Sequence, residues 1–439
     1  MPYKDYPDLT KSRKLLESIE MYAQQKHEFG AGGIDAAIRE LEIALEAVLD
    51  KVKRLPIDDA QKRNEPDLLE DIRALRAKGP RVLWEKFDRE LYLEKLEGAL
   101  LARLAGNILG APVEGWTVKR MEDWARETGD AFPPTDYWSA AYAPLAERYT
   151  INRFKDYTRD GMDGVPADDD IIYTMLGILT LEKYGTDFTT QNIADMWIEY
   201  LNWVWVDMEI ALNNYKNGVP ADRMADDNPY NQMICADIRC DPYGYVLPGL
   251  PEKAAGLAYR DSYASHRRNG LYGGMFFAAA ISAAFAVKHP LEAIEIGLTE
   301  IPAESELARS VRWALKTASD IKNYKDAREA VDERFKGMVI PHTINNACLT
   351  TFGLAIGGTD VTRVISETVA MGLDNDCSAA TAGSIVGAVV GRRNIPEYWY
   401  KRFNNKVHTY IKDNRIFYID DVVLRYAKQA ELAFYKHVR

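Results

Sequence analysis

Residues 372–391 read GLDNDCSAATAGSIVGAVVG: two acids, Asp374 and Asp376, stand directly before a run of small and apolar residues. Such a run reads as a buried helix. An acid at its mouth caps free backbone N–H groups and meets the positive end of the helix dipole. One acid satisfies that structural role. The arrangement recurs upstream, where Asp168, Asp169 and Asp170 directly precede IIYTMLGILTL. Three adjacent acids and a second pair exceed what capping needs. Carboxylates gathered beside a core repel one another, and a hard divalent cation (magnesium, manganese or calcium) removes that cost. D-D-D and D-x-D are also common on plain surfaces, so spacing alone leaves both readings open.

A third acid, Glu114, closes the turn Gly110-Ala111-Pro112-Val113-Glu114. A proline-fixed turn can hold a carboxylate beside a metal; taken alone, Glu114 reads more readily as a surface residue. The turn ends EGALLARLAGNILGAPVEGW (97–116), which carries Ala99, Ala102, Ala105, Gly106 and Gly110. Residues this small let helix backbones approach closely or bring backbone near a ligand.

Outward from these motifs the texture is helical. IDAAIRELEIALEAVLDKVKRL (34–55) sets Ile34, Ile38, Leu41, Leu45 and Val48 on one stripe, and Pro56 ends it. Two irregular stretches, 129–168 and 217–252, interrupt the pattern. The first reads as an ordered loop because it holds Phe132, Tyr137, Trp138, Tyr142 and Tyr149. Trp197, Trp203 and Trp205 read as core, and Tyr243 and Tyr245 as packing residues. The most apolar stretch, FFAAAISAAFAV (276–287), is too short to span a bilayer and reads as a buried helix. No hairpin signal stands out. The expected fold is all-α: a helical extension over 1–90, with a packing or oligomerisation role, and one multi-helix core over 91–439.

Composition narrows the function. The chain has 439 residues, 47% hydrophobic and 28% charged, enough for one large core or two moderate ones. A net charge of −11 argues against a nucleic-acid or anionic-membrane binder. Four cysteines without a C-x-x-C pair argue against structural zinc and fit a reducing cytosol. The N-terminus, MPYKDYPDLTKSRK, lacks an apolar signal core, so a cytoplasmic location is expected. Neither G-x-x-x-x-G-K-[ST] nor G-x-G-x-x-G occurs, which disfavours kinase-type and Rossmann enzymes.

In this order the motifs resemble the ADP-ribosylglycohydrolase superfamily, which includes dinitrogenase-reductase-activating glycohydrolase. That family carries G-D-x-x-G-x-x-x-E, where this chain has Gly106-Asn107-Ile108-Leu109-Gly110-Ala111-Pro112-Val113-Glu114. It then carries T-D-D-T, here Asp168-Asp169-Asp170-Ile171, and finally G-x-D-T-D-T, here Gly372-Leu373-Asp374-Asn375-Asp376-Cys377. The resemblance covers roughly 93–395. It implies an all-α fold with two magnesium ions, or manganese, held by Asp169, Asp170, Asp374 and Asp376. Asp168 and Cys377 stand where two family threonines help ligate. Glu114, with Asp169, is the implied catalytic acid pair. Asn107 replaces a family aspartate that orients substrate or water.

SHRRNGLYGGMFFAAA (265–280) places Asn269, Gly270, Gly273, Gly274 and Met275 before an apolar helix. The family has a glycine-rich loop in the comparable region that contacts ADP-ribose, and glycines at a helix start suit phosphates. A tight inter-helix turn explains the same residues. His266 beside them is either a substrate contact or structural. The implied activity is metal-dependent hydrolysis of an N- or O-glycosidic bond in an ADP-ribosyl or related ribosyl small molecule, or in an ADP-ribosylated protein. Two alternatives stay open: a hydrolase of a small nucleoside-like metabolite, and a non-enzymatic binding or structural protein on the same fold. Asn107 and Cys377 keep the latter alive. A homo-oligomer formed through the N-terminal helices is also compatible.

Overall fold

The computed structural model describes residues 5–139, 148–149 and 151–438, with the backbone alone at 151–153. Tyr142 lies outside the described residues. The chain forms two compact units, Met1–Arg63 with Arg334–Met338, and Asn64–Glu333 with Val339–Arg439. The extension read as 1–90 therefore divides near residue 63. Within the larger unit Ile72 is fully buried, and Arg76 and Arg81 each reach Glu300 at 2.7 Å.

The smaller unit holds α1 (Thr10–Glu28) and α2 (Ile34–Lys53), neither of which buries a residue. In the larger unit the helices that frame the acids are α3 (Arg89–Gly110), α4 (Asp169–Tyr184), α5 (Val206–Lys216), α6 (Arg268–Ala284), α7 (Thr343–Gly357), α8 (Asn375–Val390) and α9 (Ile419–His437). The fold is all-α. Its one sheet among the described residues is a pair of three-residue strands, β1 (Lys406–His408) and β2 (Ile416–Tyr418), antiparallel with Val407 opposite Phe417. Strands this short leave no period-2 pattern to read.

The small residues of α3 and α8 explain how the site is built. A Cβ on Gly106 would collide with the Ala379 carbonyl, and one on Gly383 with that of Ala102. Gly98 and Gly387 meet each other's backbone in the same way, and a Cβ on Gly110 would strike the Asp376 backbone. Side chains any larger would hold the two axes apart. The close approach brings the end of α3, and the turn carrying Glu114, against the start of α8, where Asp374 and Asp376 lie.

Two sequence expectations change here. Of the three tryptophans read as core, two lie between the end of a helix over Thr190–Tyr200 and the start of α5 at Val206. Trp197 is core, but Trp203 and Trp205 sit around the break, exposed and stacked edge to face at 5.3 Å. The SHRRNG…GGM stretch is not a loop ahead of a helix. Asn269, Gly270, Gly273, Gly274 and Met275 are buried in the first turns of α6. Tyr243 and Tyr245 are fully buried, in packing positions.

Candidate active site

The acids from three distant stretches come together. Asp168 caps α4, accepting from the Asp170 N–H, and Asp169 and Asp170 fill its first turn. Asp374 and Asp376 open α8. Before them Gly372 and Leu373 both have left-handed backbone, φ 72° and 63°. That conformation is unusual for leucine and is held by the Gly115 N–H donating to the Leu373 carbonyl at 2.9 Å. One hydrogen bond thus ties the Glu114 turn to the approach to Asp374. The turn itself is a 3₁₀ segment, Ala111–Val113, buried behind exposed Glu114.

Three sets of possible ligand atoms follow, each within 4.8 Å of one another: Asp168, Asp169 and Asp170; Asp170, Asp376 and Cys377; Glu114, Asp374 and Asp376. Asp170 links the first to the second, and Asp376 links the second to the third. Asp170 Oδ1, Asp374 Oδ1 and Asp376 Oδ1 are buried without a hydrogen-bond partner among the described residues. Burial, followed by the mutual repulsion of the carboxylates, pushes Asp169, Asp170 and Asp376 well above the usual carboxylate range; burial also raises Asp168 and Asp374. Oxygen-rich, mutually repelling and with acceptor capacity to spare, the set fits hard divalent cations. Cys377 donates its thiol to Asp170 Oδ2 at 3.2 Å, and burial holds that thiol well above its ordinary value. A thiol in that state acts as a hydrogen-bond donor more than as a ligand.

Arg103 lies beneath the acids, wholly buried. Its guanidinium pairs with Asp241 at 2.8 Å and donates to the Asp170 carbonyl (2.8 Å), the Ile238 carbonyl (2.9 Å) and Thr174 (2.9 Å). It anchors the backbone of α4 while leaving Asp170 Oδ1 3.9 Å away.

Glu114, Asp169, Asp170, Asp374, Asp376 and Cys377 line one end of a cavity of about 360 Å³. Trp205, Tyr230, Met233, Ile234, Ile238 and Pro341 supply much of its apolar remainder. The irregular stretch 217–252 therefore provides wall. Also on the cavity, and unforeseen from sequence, is Asp207. It is 1% exposed, and its Oδ2 stands 3.9 Å from Arg239 and 3.8 Å from His266. Burial raises its pKa.

The remaining sequence candidates stand outside the cavity lining. His266 is behind Asp207, its Nδ1 bonded to Ser265 Oγ at 2.7 Å; burial drives its pKa well below the ordinary value. Asn269 joins Gln232 to the Leu307 N–H. Gly270 packs on the Asn231–Gln232 backbone, Gly273 on Asp237 and Thr343, Gly274 on Ser262. None of the three has positive φ, so their use is close packing. Asn107 does not line the cavity either. Its Nδ2 donates to Asp168 Oδ1 at 2.8 Å, and the Tyr157 hydroxyl reaches Asp168 Oδ2 at 3.3 Å.

The ADP-ribosylglycohydrolase family model matches residues 88–431. The chain belongs to this family. A solved structure titled "ADP-ribosylglycohydrolase-related protein complex" is similar in fold, with a TM-score of 0.54 and 16% identity over 78% of this chain and 99% of that one. No curated protein sequence matches. Membership supports a glycohydrolase-type activity in general. Among the described residues no helix is long and apolar enough to cross a membrane.

Against the ADP-ribosylglycohydrolase pattern, two of the departures turn out to be partners. Asn107 stands where the pattern has aspartate and Asp168 where it has threonine, and the first donates to the second. The negative charge moves from α3 to the mouth of α4.

Proposed function

We propose that the chain is a divalent-metal-dependent hydrolase that cleaves an N- or O-glycosidic bond in an ADP-ribosyl or related ribosyl substrate. The observation that carries this reading is the linked set of acids at one end of a cavity whose other walls are apolar and aromatic. Asp169, Asp170, Asp374 and Asp376 would hold magnesium, with manganese as the substitute, and Asp168 fixes the start of α4 beneath them by accepting the Asp170 N–H. Ions bound there supply Lewis acidity and an anchor for ribose hydroxyls.

The chain's own residues do the rest. Glu114, at the cavity edge and outside the buried cluster, accepts the proton of the attacking water. Asp207, on the cavity wall, offers its carboxylate to a donor on the substrate, a sugar hydroxyl or a leaving-group N–H. Trp205 and Tyr230 give flat faces for a base or sugar. The apolar wall keeps bulk water from the oxocarbenium-like centre.

The test has two arms. Calorimetric titration with magnesium or manganese should give binding in the wild type and a marked loss in Asp376→Asn. Hydrolysis of free ADP-ribosyl compounds and of ADP-ribosylated protein should fall in Glu114→Gln by about 10²–10⁴-fold at saturating substrate. Equal turnover in Glu114→Gln removes that residue from the chemistry. Absence of divalent binding in the wild type removes the metal.

A further inference from the structure

We propose that α2 is a dimerisation element, pairing antiparallel with α2 of a second copy of this chain. From Ile34 to Leu55 apolar residues recur at alternating steps of four and three. That mean spacing of 3.5 is the seam of a left-handed coiled coil, narrower than the stripe of a helix lying on a globular core. Ile38, Leu45, Val48, Val52 and Leu55 on this seam are 37–63% exposed. Helices of 19 and 20 residues that bury nothing lack the packing from which helices in proteins draw their stability.

Charge selects the occupant and its direction. The first two-thirds of α2 carry Asp35, Glu40, Glu42 and Glu46 against one base, Arg39; its end carries Lys51 and Lys53 against one acid, Asp50, with Arg54 just beyond. A parallel copy would set like on like. An antiparallel copy lays the acidic portion of each helix along the basic end of the other, twice over, around a twofold axis near Leu45. The area suffices. At roughly 100 Å² of apolar surface per half-exposed side chain, about eight of them reach the ~800 Å² per partner of a standard interface. The seam supplies five, and Leu15, Ile19 and Tyr22 of α1 are exposed as well.

Sedimentation of the full chain over the micromolar range tests this. The expected mass is twice that of the monomer. Leu45→Glu with Val52→Glu should weaken association by about a hundredfold or more, because two carboxylates would be buried against an apolar seam. Lys51→Glu with Lys53→Glu should weaken it too, and adding Glu40→Lys with Glu42→Lys should restore it. With a short thiol cross-linker, an Ile38→Cys chain mixed with a Leu55→Cys chain should link, while either alone should not. A wild type monomeric throughout, a dimer indifferent to Leu45→Glu with Val52→Glu, or cross-linking of each cysteine variant to itself would overturn the proposal.

Discussion

Two helix pairs in this protein solve opposite problems. In α3 and α8, glycine and alanine line the shared face, and the backbones touch at Gly98, Gly106, Gly383 and Gly387. In α1 and α2, leucine, isoleucine and valine line faces that nothing among the described residues covers. Periodicity announces a helix in both. Side-chain size separates them: small residues fix a contact distance with a neighbour in the same chain, whereas large ones on a 3.5-residue seam leave room for another helix. The first pair holds the acid cluster rigidly; the second has no such cluster to hold.

The largest effect expected from testing this contrast comes from Arg103, on α3. Arg103→Met leaves Asp241 buried without its cation and frees the Asp170 carbonyl, at a cost of about 3–5 kcal/mol. Denaturant unfolding measures it, and a change under about 1 kcal/mol would mean the buried acids are neutral without the guanidinium. Acid comes next. His342 caps α7 by accepting from the Ile344 N–H at 3.2 Å, which needs a neutral ring, and burial lowers its pKa from 6.5 to about 4. The unfolded ring takes a proton below 6.5 that the folded ring refuses until about 4. Stability is therefore present above that window and falls by up to about 3 kcal/mol as pH drops through it. His266 acts in the same direction, while α1 and α2 bury no histidine. His342→Asn keeps an acceptor at the cap and should flatten the pH dependence of the melting temperature; an unchanged profile would assign the loss elsewhere. Third, Gly106→Ala adds one methyl against the Ala379 carbonyl and should cost about 2–3 kcal/mol, despite alanine's better helix propensity. A neutral result would mean the α3–α8 pair can spread.

Much of the site was legible because acids at helix mouths announce themselves locally. Asp168–Asp170 and Asp374–Asp376 each sit beside an apolar run, and Glu114 follows a small-residue helix. Asp207 was not legible. It stands alone in WVWVDMEIAL, and only the tertiary fold turns it to the cavity. Its one local signal is an acid flanked by tryptophan, valine and methionine. Gly270, Gly273 and Gly274 were ambiguous for another reason. Glycine serves positive φ and close approach alike, and the sequence does not say which; the structure uses the second. Trp205 reads as core in the sequence, but residues 201–205 lie between two helices and leave it part-exposed on the cavity.

The smallest expected effect is the most selective for the open pair. Ile43 is 66% exposed on α2, as apolar as its neighbours, but it falls between the steps of the Ile34–Leu55 seam. If hydrophobicity alone drove association, Ile43→Ala and Leu45→Ala would weaken the dimer alike. If the seam does, Ile43→Ala should stay within about 0.5 kcal/mol of wild type, while Leu45→Ala, at the centre of the antiparallel pair and counted once from each copy, should cost several times more. Sedimentation equilibrium on the two variants measures both. An Ile43 effect equal to that of Leu45 would deny the seam its selectivity, since at about 100° per residue the two side chains lie about 160° apart around α2 and no narrow seam holds both.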